Sequence, residues 1–375
     1  MKSFLKKTGI CRKGFGIRVI LAGCFVVCML SSCRKEESFL CQSVDTAMGT
    51  VLRQSIYLTE SSTQDETERV AQEITRGVRE EIGKQEAHWL SRRLETSAVY
   101  EINGQAGAKQ AIPADSYLTD LLQKIWQVSA DSDGALDITI GEVVKLWDID
   151  TYAIQQDRGI MDQMQTAPES FAVPRKDELK KMLEVVGYEK VSIEDGAILL
   201  PEGMSLDLGA VGKGIACDSV LAYLEQQPKV LGAVIAIGGS IATYGSKPDG
   251  TAWNVGIINP NHTSAYIGSL RLHGQWCVST SGDYERYVEV DGVRYHHIMD
   301  PSTGYPADAG LRSVTILSKD GCLSDALSTA VFVLGAQKGL ALVEQYNAYA
   351  VLVDTQGQVL LSAGTEAYFA GAEGQ

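Results

Sequence analysis

The segment Asp207-Leu208-Gly209-Ala210-Val211-Gly212-Lys213-Gly214 runs directly into a stretch of helical spacing that reaches about residue 226. Glycines this close together, just ahead of a helix, let backbone N–H groups approach an anion, and the helix N-terminus favours negative charge there. Lys213 adds a point charge, and Asp218 follows one turn on. The spacing Gly-x-x-x-x-Gly-Lys-Ser/Thr is absent, and the glycines stand in the wrong order for a dinucleotide fingerprint. The segment is therefore either a phosphate site or a tight turn, and in both cases it joins a strand to a helix. The same interleaving continues outward. Upstream, residues 51–58 alternate as a strand. Val70, Ile74, Val78 and Ile82 give a long amphipathic helix over 66–89, and a second helix covers 116–130. Residues 151–172 are polar and irregular, a surface insertion, and 176–186 reads as a helix. Downstream, strands are expected at 233–237, 253–258, 267–272, 287–290 and 312–318. Helices at 324–334 and 338–346 follow, then closing strands at 348–353 and 358–361. Helices and strands alternating in this way predict an α/β chain of mixed α+β character.

The 375 residues allow two compact units or one large domain. Hydrophobic residues at 45% and charged residues at 21% exclude a disordered, collagen-like or coiled-coil chain. Lys+Arg 33 against Asp+Glu 47 leaves a net charge of −14, which argues against a nucleic-acid partner. The basic residues concentrate at the start: Lys2, Lys6, Lys7, Arg12, Lys13 and Arg18 precede an apolar run over 19–30. That run is too short to span a bilayer and reads as a secretory signal. Leu30-Ser31-Ser32-Cys33 resembles a bacterial lipobox, so residues 1–32 are expected to be a lipoprotein signal peptide, with Cys33 lipidated and 33–45 a polar tether. Four cysteines remain, Cys41, Cys217, Cys277 and Cys322. Their spacing holds no CxxC pair, so a zinc ribbon is not expected and buried free thiols are.

Further polar motifs follow. Gly238-Gly239 after a strand is either a point of close ligand approach or a hairpin turn. Ser279-Thr280-Ser281-Gly282-Asp283-Tyr284 reads as a hydroxyl-rich turn, and His296-His297-Ile298-Met299-Asp300-Pro301 as a second polar turn. Adjacent histidines on extended backbone point to opposite sides, so one should face inward as a base and the other be structural. In Asp325-Ala326-Leu327-Ser328-Thr329-Ala330, Asp325 and Thr329 share a helix face with Ser328 beside them. These are hard oxygen ligands suited to Mg²⁺, or else an N-cap with its first turn.

Together and in this order, these segments resemble the ApbE family of FAD:protein FMN transferases. The pieces are Thr46-Ala47-Met48-Gly49-Thr50, residues 97–103, Asp133-Gly134-Ala135-Leu136-Asp137-Ile138-Thr139, residues 207–214, Gly238-Gly239, Thr280 to Tyr284, His297-Ile298-x-Asp300-Pro301 and residues 325–330. The resemblance implies one flavin transferase domain over 46–370, made of two intimately joined lobes with the flavin site between them. It also implies transfer of FMN from FAD to a Thr hydroxyl of a target protein, with AMP released and Mg²⁺ required. Ala210, Asp325, Ser328 and Thr329 would hold the metal. Met48, Ala135, Leu136, Asp137, Asp207, Lys213 and Ile298 would bind FAD, and His297, with Asp283 nearby, would be catalytic. The family's aromatic position over the flavin ring falls on Arg93, so that Arg93 or the nearby Trp89 would cover the ring. Implied acceptors carry a segment of the type Asp-x-x-Ser/Thr-Gly-Ala-Thr, as in subunits of Rnf-type or sodium-pumping NADH:quinone oxidoreductases or small FMN-binding domains. The membrane, reached through the Cys33 lipid, is the other partner, on the periplasmic face. The alternatives are a FAD pyrophosphatase that yields FMN and AMP, and a flavin-binding lipoprotein without turnover.

Overall fold

Leu52, Gln54, Ile56 and Leu58 are buried in turn along one strand, while the residues between them stay accessible, so this segment covers a core with one face. In the structure, a computed structural model that describes residues 38–152 and 171–372, the strand is β2 (Thr50–Thr59). It pairs antiparallel with β1 (Ser38–Ala47) through the two-residue turn Met48-Gly49, both with positive φ (48° and 70°). That is the tight turn whose twist matches paired strands. The stretch expected as a tether is therefore a sheet strand from Ser38 on. Phe39 and Cys41 supply its alternation by packing on the core, with Leu40 between them. The signal peptide and Cys33 lie outside the described residues, as does 153–170 of the expected insertion.

The helix α1 (Gln64–Gln85) starts at a Thr63 cap that accepts from the Glu66 amide, and buries Ala71, Ile74, Val78 and Ile82. A π-helical turn (Glu86–Leu90) ends it. Then come α2 (Ala98–Gly104), β3 (Ile112–Pro113), α3 (Ser116–Asp131), α4 (Gly141–Trp147) and α5 (Lys176–Leu183). Next are β4 (Ser192–Glu194), β5 (Ala197–Leu199), α6 (Gly212–Glu225), β6 (Val230–Ile237), β7 (Ser240–Gly245), β8 (Trp253–Asn259) and β9 (His262–Leu272). The remainder is β10 (Trp276–Gly282), β11 (Tyr287–Val290), β12 (Val293–His296), β13 (Leu311–Ser318), α7 (Gly321–Leu334), α8 (Ala336–Gln345), β14 (Tyr349–Asp354), β15 (Val359–Leu361) and β16 (Phe369–Gly371).

Eight strands form one antiparallel sheet in the order β1-β2-β6-β7-β10-β13-β14-β15. Its two faces bury different partners. On one, α1 and α6 pack against Leu52, Ile56, Ile235 and Cys277, and α7 packs against Val314 and Ile316. On the other, Trp276, Val278, Leu317, Val351 and Val353 meet the small sheet β16-β9-β8. Residues expected as a hydroxyl-rich turn at 279–282 are the end of β10, in the middle of the sheet. The strand turns its hydroxyls to the helices: Ser279 Oγ lies 2.8 Å from Ser324 Oγ, and Ser281 Oγ 2.8 Å from Ser328 Oγ. Serines thus face α7 where large apolar residues would hold it away. Cys217, Cys277 and Cys322 are free and buried.

A second lobe, made of α2, α3 and β3–β5, shares one apolar core with α7 and β13. Trp147 of α4, with Val143, Leu179 and Val288, fills a smaller core beneath it.

Candidate active site

The helices α6 and α7 meet glycine to glycine. A Cβ on Gly214 would stand 2.0 Å from the Gly321 carbonyl oxygen, and one on Gly321 would stand 2.2 Å from that of Gly214. Only glycine permits this approach. Val211, at the start of α6, offers no side-chain cap. Its place is taken from the other helix, where Asp325 Oδ2 accepts from the Gly214 amide at 2.9 Å and Oδ1 accepts from Ser240 Oγ at 3.3 Å. Asp325 is thus no cap of its own helix, a role that belongs to Asp320. Lys213 Nζ lies 3.8 Å from Asp325 Oδ2.

These groups line a cleft between the sheet-and-helix layer and the segment that leads into α4. The facing wall is aliphatic, with Ala135, Leu136, Ile140, Val144, Ile149 and Ile298. Asp137 closes that wall: Oδ1 accepts from the Thr139 amide and hydroxyl, and Oδ2 from the Tyr188 amide. Its burial pushes its pKa up. Asp207 accepts from Gly209 N–H at 2.8 Å and pairs with Arg92 Nε at 2.6 Å.

His297 lines the same cleft. The Arg286 carbonyl accepts from its amide at 3.1 Å and lies 3.2 Å from its Nδ1. A carbonyl can only accept, so Nδ1 carries the proton and Nε2 keeps its lone pair. Loss of water around the ring, with Arg286, His296 and Lys213 nearby, holds its pKa well below 6.5. The base is neutral at pH 7. His296 has the opposite fate, buried with Nε2 3.0 Å from the Ala307 carbonyl and Nδ1 accepting from the Ile298 amide. The two rings thus lie in different surroundings, His297 at the cleft and His296 within the protein.

Of the other residues singled out from sequence, Ala135, Leu136, Asp137, Asp207, Ala210, Lys213, Ile298, Asp325 and Thr329 all line the cleft. Five residues stand elsewhere. Asp283 is committed to Arg312 (2.5 Å) and faces Arg294 (3.7 Å), so it does not adjoin His297 as expected. Ser328 is buried, its hydroxyl shared between Ser281 and the Asp325 carbonyl, and it does not line the cleft. Met48 sits in the hairpin turn against Gly212. Arg93 reaches Asp150 at 3.5 Å, and Trp89 donates to Asp115 at 2.7 Å, so neither lines the cleft. It is Arg92, one residue earlier, that enters it.

Arg92, Glu285, Arg286 and Asp150 line the cleft without having been singled out for it. Glu285 is open to the cleft but ringed by protein, which raises its pKa; Lys213 opposes the shift. The Gly238-Gly239 hairpin turn makes room for it, since a Cβ on Gly239 would stand 2.7 Å from Glu285 Oε1. Glu285 and Arg286 directly follow the quoted Tyr284, a proximity that could have pointed to them.

Among the described residues no group of three or more His, Cys, Asp or Glu is gathered as for a metal. The cleft nevertheless offers the Asp325 carboxylate and the Thr329 hydroxyl, with Ala210 in the turn before α6. This oxygen set fits Mg²⁺, which keeps waters and takes substrate phosphates as ligands.

The cleft brings a glycine-lined helix start and Lys213 together with an aliphatic wall and a neutral imidazole, groups that suit a phosphate and a flat apolar body. That combination defines a protein that handles a phosphate ester of an extended, partly apolar molecule. The chain belongs to the ApbE family, whose model matches residues 48–353. A relative from Treponema pallidum (strain Nichols), named FAD:protein FMN transferase, is 32% identical over 362 residues, 90% of this chain and 91% of the relative. Another of that name, from Klebsiella pneumoniae (strain 342), is 35% identical over 272 residues, 71% of this chain and 78% of its own. The apo flavinyl transferase ApbE of Pseudomonas stutzeri matches in structure with a TM-score of 0.70 at 28% identity, over 89% of this chain and 98% of that one.

Proposed function

We propose that this chain is an FAD:protein FMN transferase that joins FMN, through its phosphate, to a Thr hydroxyl of an acceptor protein and releases AMP. The observation that carries the reading is a neutral imidazole, its Nδ1–H held by a carbonyl, in one cleft with a glycine-lined helix start and Lys213. The acceptor oxygen attacks the FMN phosphorus, its proton passes to His297 Nε2, and the bond from that phosphorus to the AMP oxygen breaks. Lys213 and the first amides of α6 offset charge on the phosphates. Ala135, Leu136 and Ile298 shape the apolar end, while Asp137 and Asp207 offer acceptors to polar groups of FAD. Asp325 and Thr329, with Ala210, would hold Mg²⁺, which when bound supplies Lewis-acid stabilisation of the pyrophosphate.

The acceptors are extracytoplasmic redox proteins with a segment of the type Asp-x-x-Ser/Thr-Gly-Ala-Thr, and the chain is a lipoprotein held to the membrane by Cys33. The basic start, the apolar run over 19–30 and Leu30-Ser31-Ser32-Cys33 support that placement.

The test mixes the chain with FAD, Mg²⁺ and a peptide bearing the acceptor segment. Intact mass should show FMN on the peptide, with an equal amount of AMP in solution. AMP and free FMN beside unmodified peptide would make the chain a FAD pyrophosphatase instead.

A further inference from the structure

The crossing of α6 and α7 carries a second carboxylate that the reaction does not use. Asp218, on α6, accepts from the Gly321 amide at 2.6 Å through Oδ1 and from the Cys322 amide at 2.9 Å through Oδ2. The Cys277 thiol lies 3.9 Å from the same Oδ1. These amides open α7, one turn before Asp325. Asp325 in turn accepts from the Gly214 amide in the first turn of α6. Each helix therefore lends a carboxylate to the start of the other, and the Gly214–Gly321 contact sits between the two ties.

We propose that Asp218 is a positioning residue for FMN transfer: it fixes the start of α7 against α6 and so sets the Asp325 carboxylate at the cleft. The inference rests on the transferase reading for its kinetic consequence and on geometry alone for its structural one. Geometry makes the tie directional. Asp320 already caps α7 through the Leu323 amide, so Asp218 is not needed to begin that helix. What Asp218 adds is attachment to α6. The groups that face it are Asp320 and Cys322 from α7, Tyr117 and Lys124 from α3, and Cys277 from β10, with Cys217 beside it on α6. Lys124 is spent on Asp320, at 2.5 Å, so among the described residues no cation forms a salt bridge with Asp218 and the α7 amides are its main partners. Burial, with Asp320, pushes its pKa up to about 6, which leaves it ionised at neutral pH, the state that accepts both bonds.

The test is Asp218→Asn in the full chain. The amide keeps the shape but turns a donor toward an N–H. Deuterium exchange at pH 7.5 should quicken about tenfold in peptides covering 208–216 and 319–325, the loss expected for about one charge-assisted hydrogen bond. Peptides covering 349–354 should exchange as in the wild type. In the transferase assay kcat should fall about tenfold or more while KM for FAD stays within about twofold, because the defect lies in Asp325's placement and not in the flavin end. A destabilised but correctly placed helix pair would show faster exchange throughout the chain. That result, or unchanged exchange at 208–216, or a kcat within about twofold of wild type, overturns the proposal. Should the wild type itself fail to transfer FMN, that failure falls on the functional reading, and the exchange data alone decide on Asp218. Asp218→Ser, which keeps one acceptor, is read by the same criteria if the Asn variant does not fold.

Discussion

Gly214→Ala isolates the helix crossing from every charged group in the cleft. The added Cβ would stand 2.0 Å from the Gly321 carbonyl oxygen and 2.7 Å from Asp325 Cβ. Ordinary contact begins near 3.4 Å, so α7 must retreat by ~1.4 Å, and its backbone has no flexible end that could yield instead. Two costs follow. Overpacking of a close-packed interior is worth ~1–3 kcal/mol, which for a domain of this size lowers Tm by roughly 2–4 °C. The second is functional: Asp325 rides on the displaced helix and loses its bond to the Gly214 amide. A misplacement of ~1 Å at a reacting centre costs ~10²-fold in rate, or ~2.7 kcal/mol of barrier. Thermal unfolding and steady-state FMN transfer measure both. Gly83→Ala serves as the comparison, since a Cβ there meets nothing within 4 Å on the exposed side of α1; it should raise stability by ~0.5–1 kcal/mol with activity unchanged. If Gly214→Ala behaves like Gly83→Ala in both assays, the close crossing does not set the site and the reasoning fails.

Other consequences are simpler to state. Because His297 is a base whose folded pKa is lowered, it stays neutral as pH falls through 6.5, so kcat/KM should be level from pH 8 to below 6.5; an acid limb centred at 6.5 would refute the assignment. The same shift makes stability fall once pH drops below 6.5, since the unfolded chain then binds a proton that the folded chain refuses. His297→Asn should cut kcat by ~10²–10⁴ with FAD still bound, as judged by equilibrium dialysis. Arg92→Ala should raise KM for FAD about tenfold, in keeping with the loss of one charge-assisted contact, and an unchanged KM would remove Arg92 from the binding surface. EDTA should abolish transfer and added Mg²⁺ restore it; full activity in EDTA would exclude the metal role given to Asp325 and Thr329.

The sequence showed the helices best. The period of Val70, Ile74, Val78 and Ile82 places α1 within a few residues of its ends, because burial on one face imposes that spacing directly. β10 was missed because its inward residues are Ser279 and Ser281, where a strand signal needs apolar side chains. Those serines are small enough to let α7 lie close and are satisfied by Ser324 and Ser328, a partnership no local pattern encodes. β1 was missed for a related reason, since only Phe39 and Cys41 carry its alternation. In the site, Asp137, Asp207, Lys213 and Asp325, each on a short motif legible in the sequence, line the cleft. Placement failed where a side chain had a choice of partner. Asp283 has two arginines from distant strands, and Ser328 has a serine across the helix–sheet interface. Between Arg92 and Arg93, which of the two faces the cleft depends on the π-helical turn that rotates the chain just before them.

The pairing of charges inside the cleft bears on how a phosphate enters it. Each cation that lines it has a carboxylate: Arg92 with Asp207 at 2.6 Å, Lys213 with Asp325 at 3.8 Å and Arg286 with Asp150 at 2.5 Å. Asp137, Asp148 and Glu285 add three acids without a matching base, and the raised pKa of Asp137 and of Glu285 reflects surroundings that disfavour a charge. A pyrophosphate brought into such a site adds negative charge where, among the described residues, no cation stands free of a carboxylate partner. The helix start of α6 offsets part of that load, but a partial dipole charge is smaller than the two charges of a pyrophosphate. The arrangement is therefore better suited to a phosphate that arrives with a divalent cation than to a bare one. This makes Lys213 the informative residue. Its distance from Asp325, the longest of the three pairs, leaves it able to turn toward a phosphate when the carboxylate takes another partner.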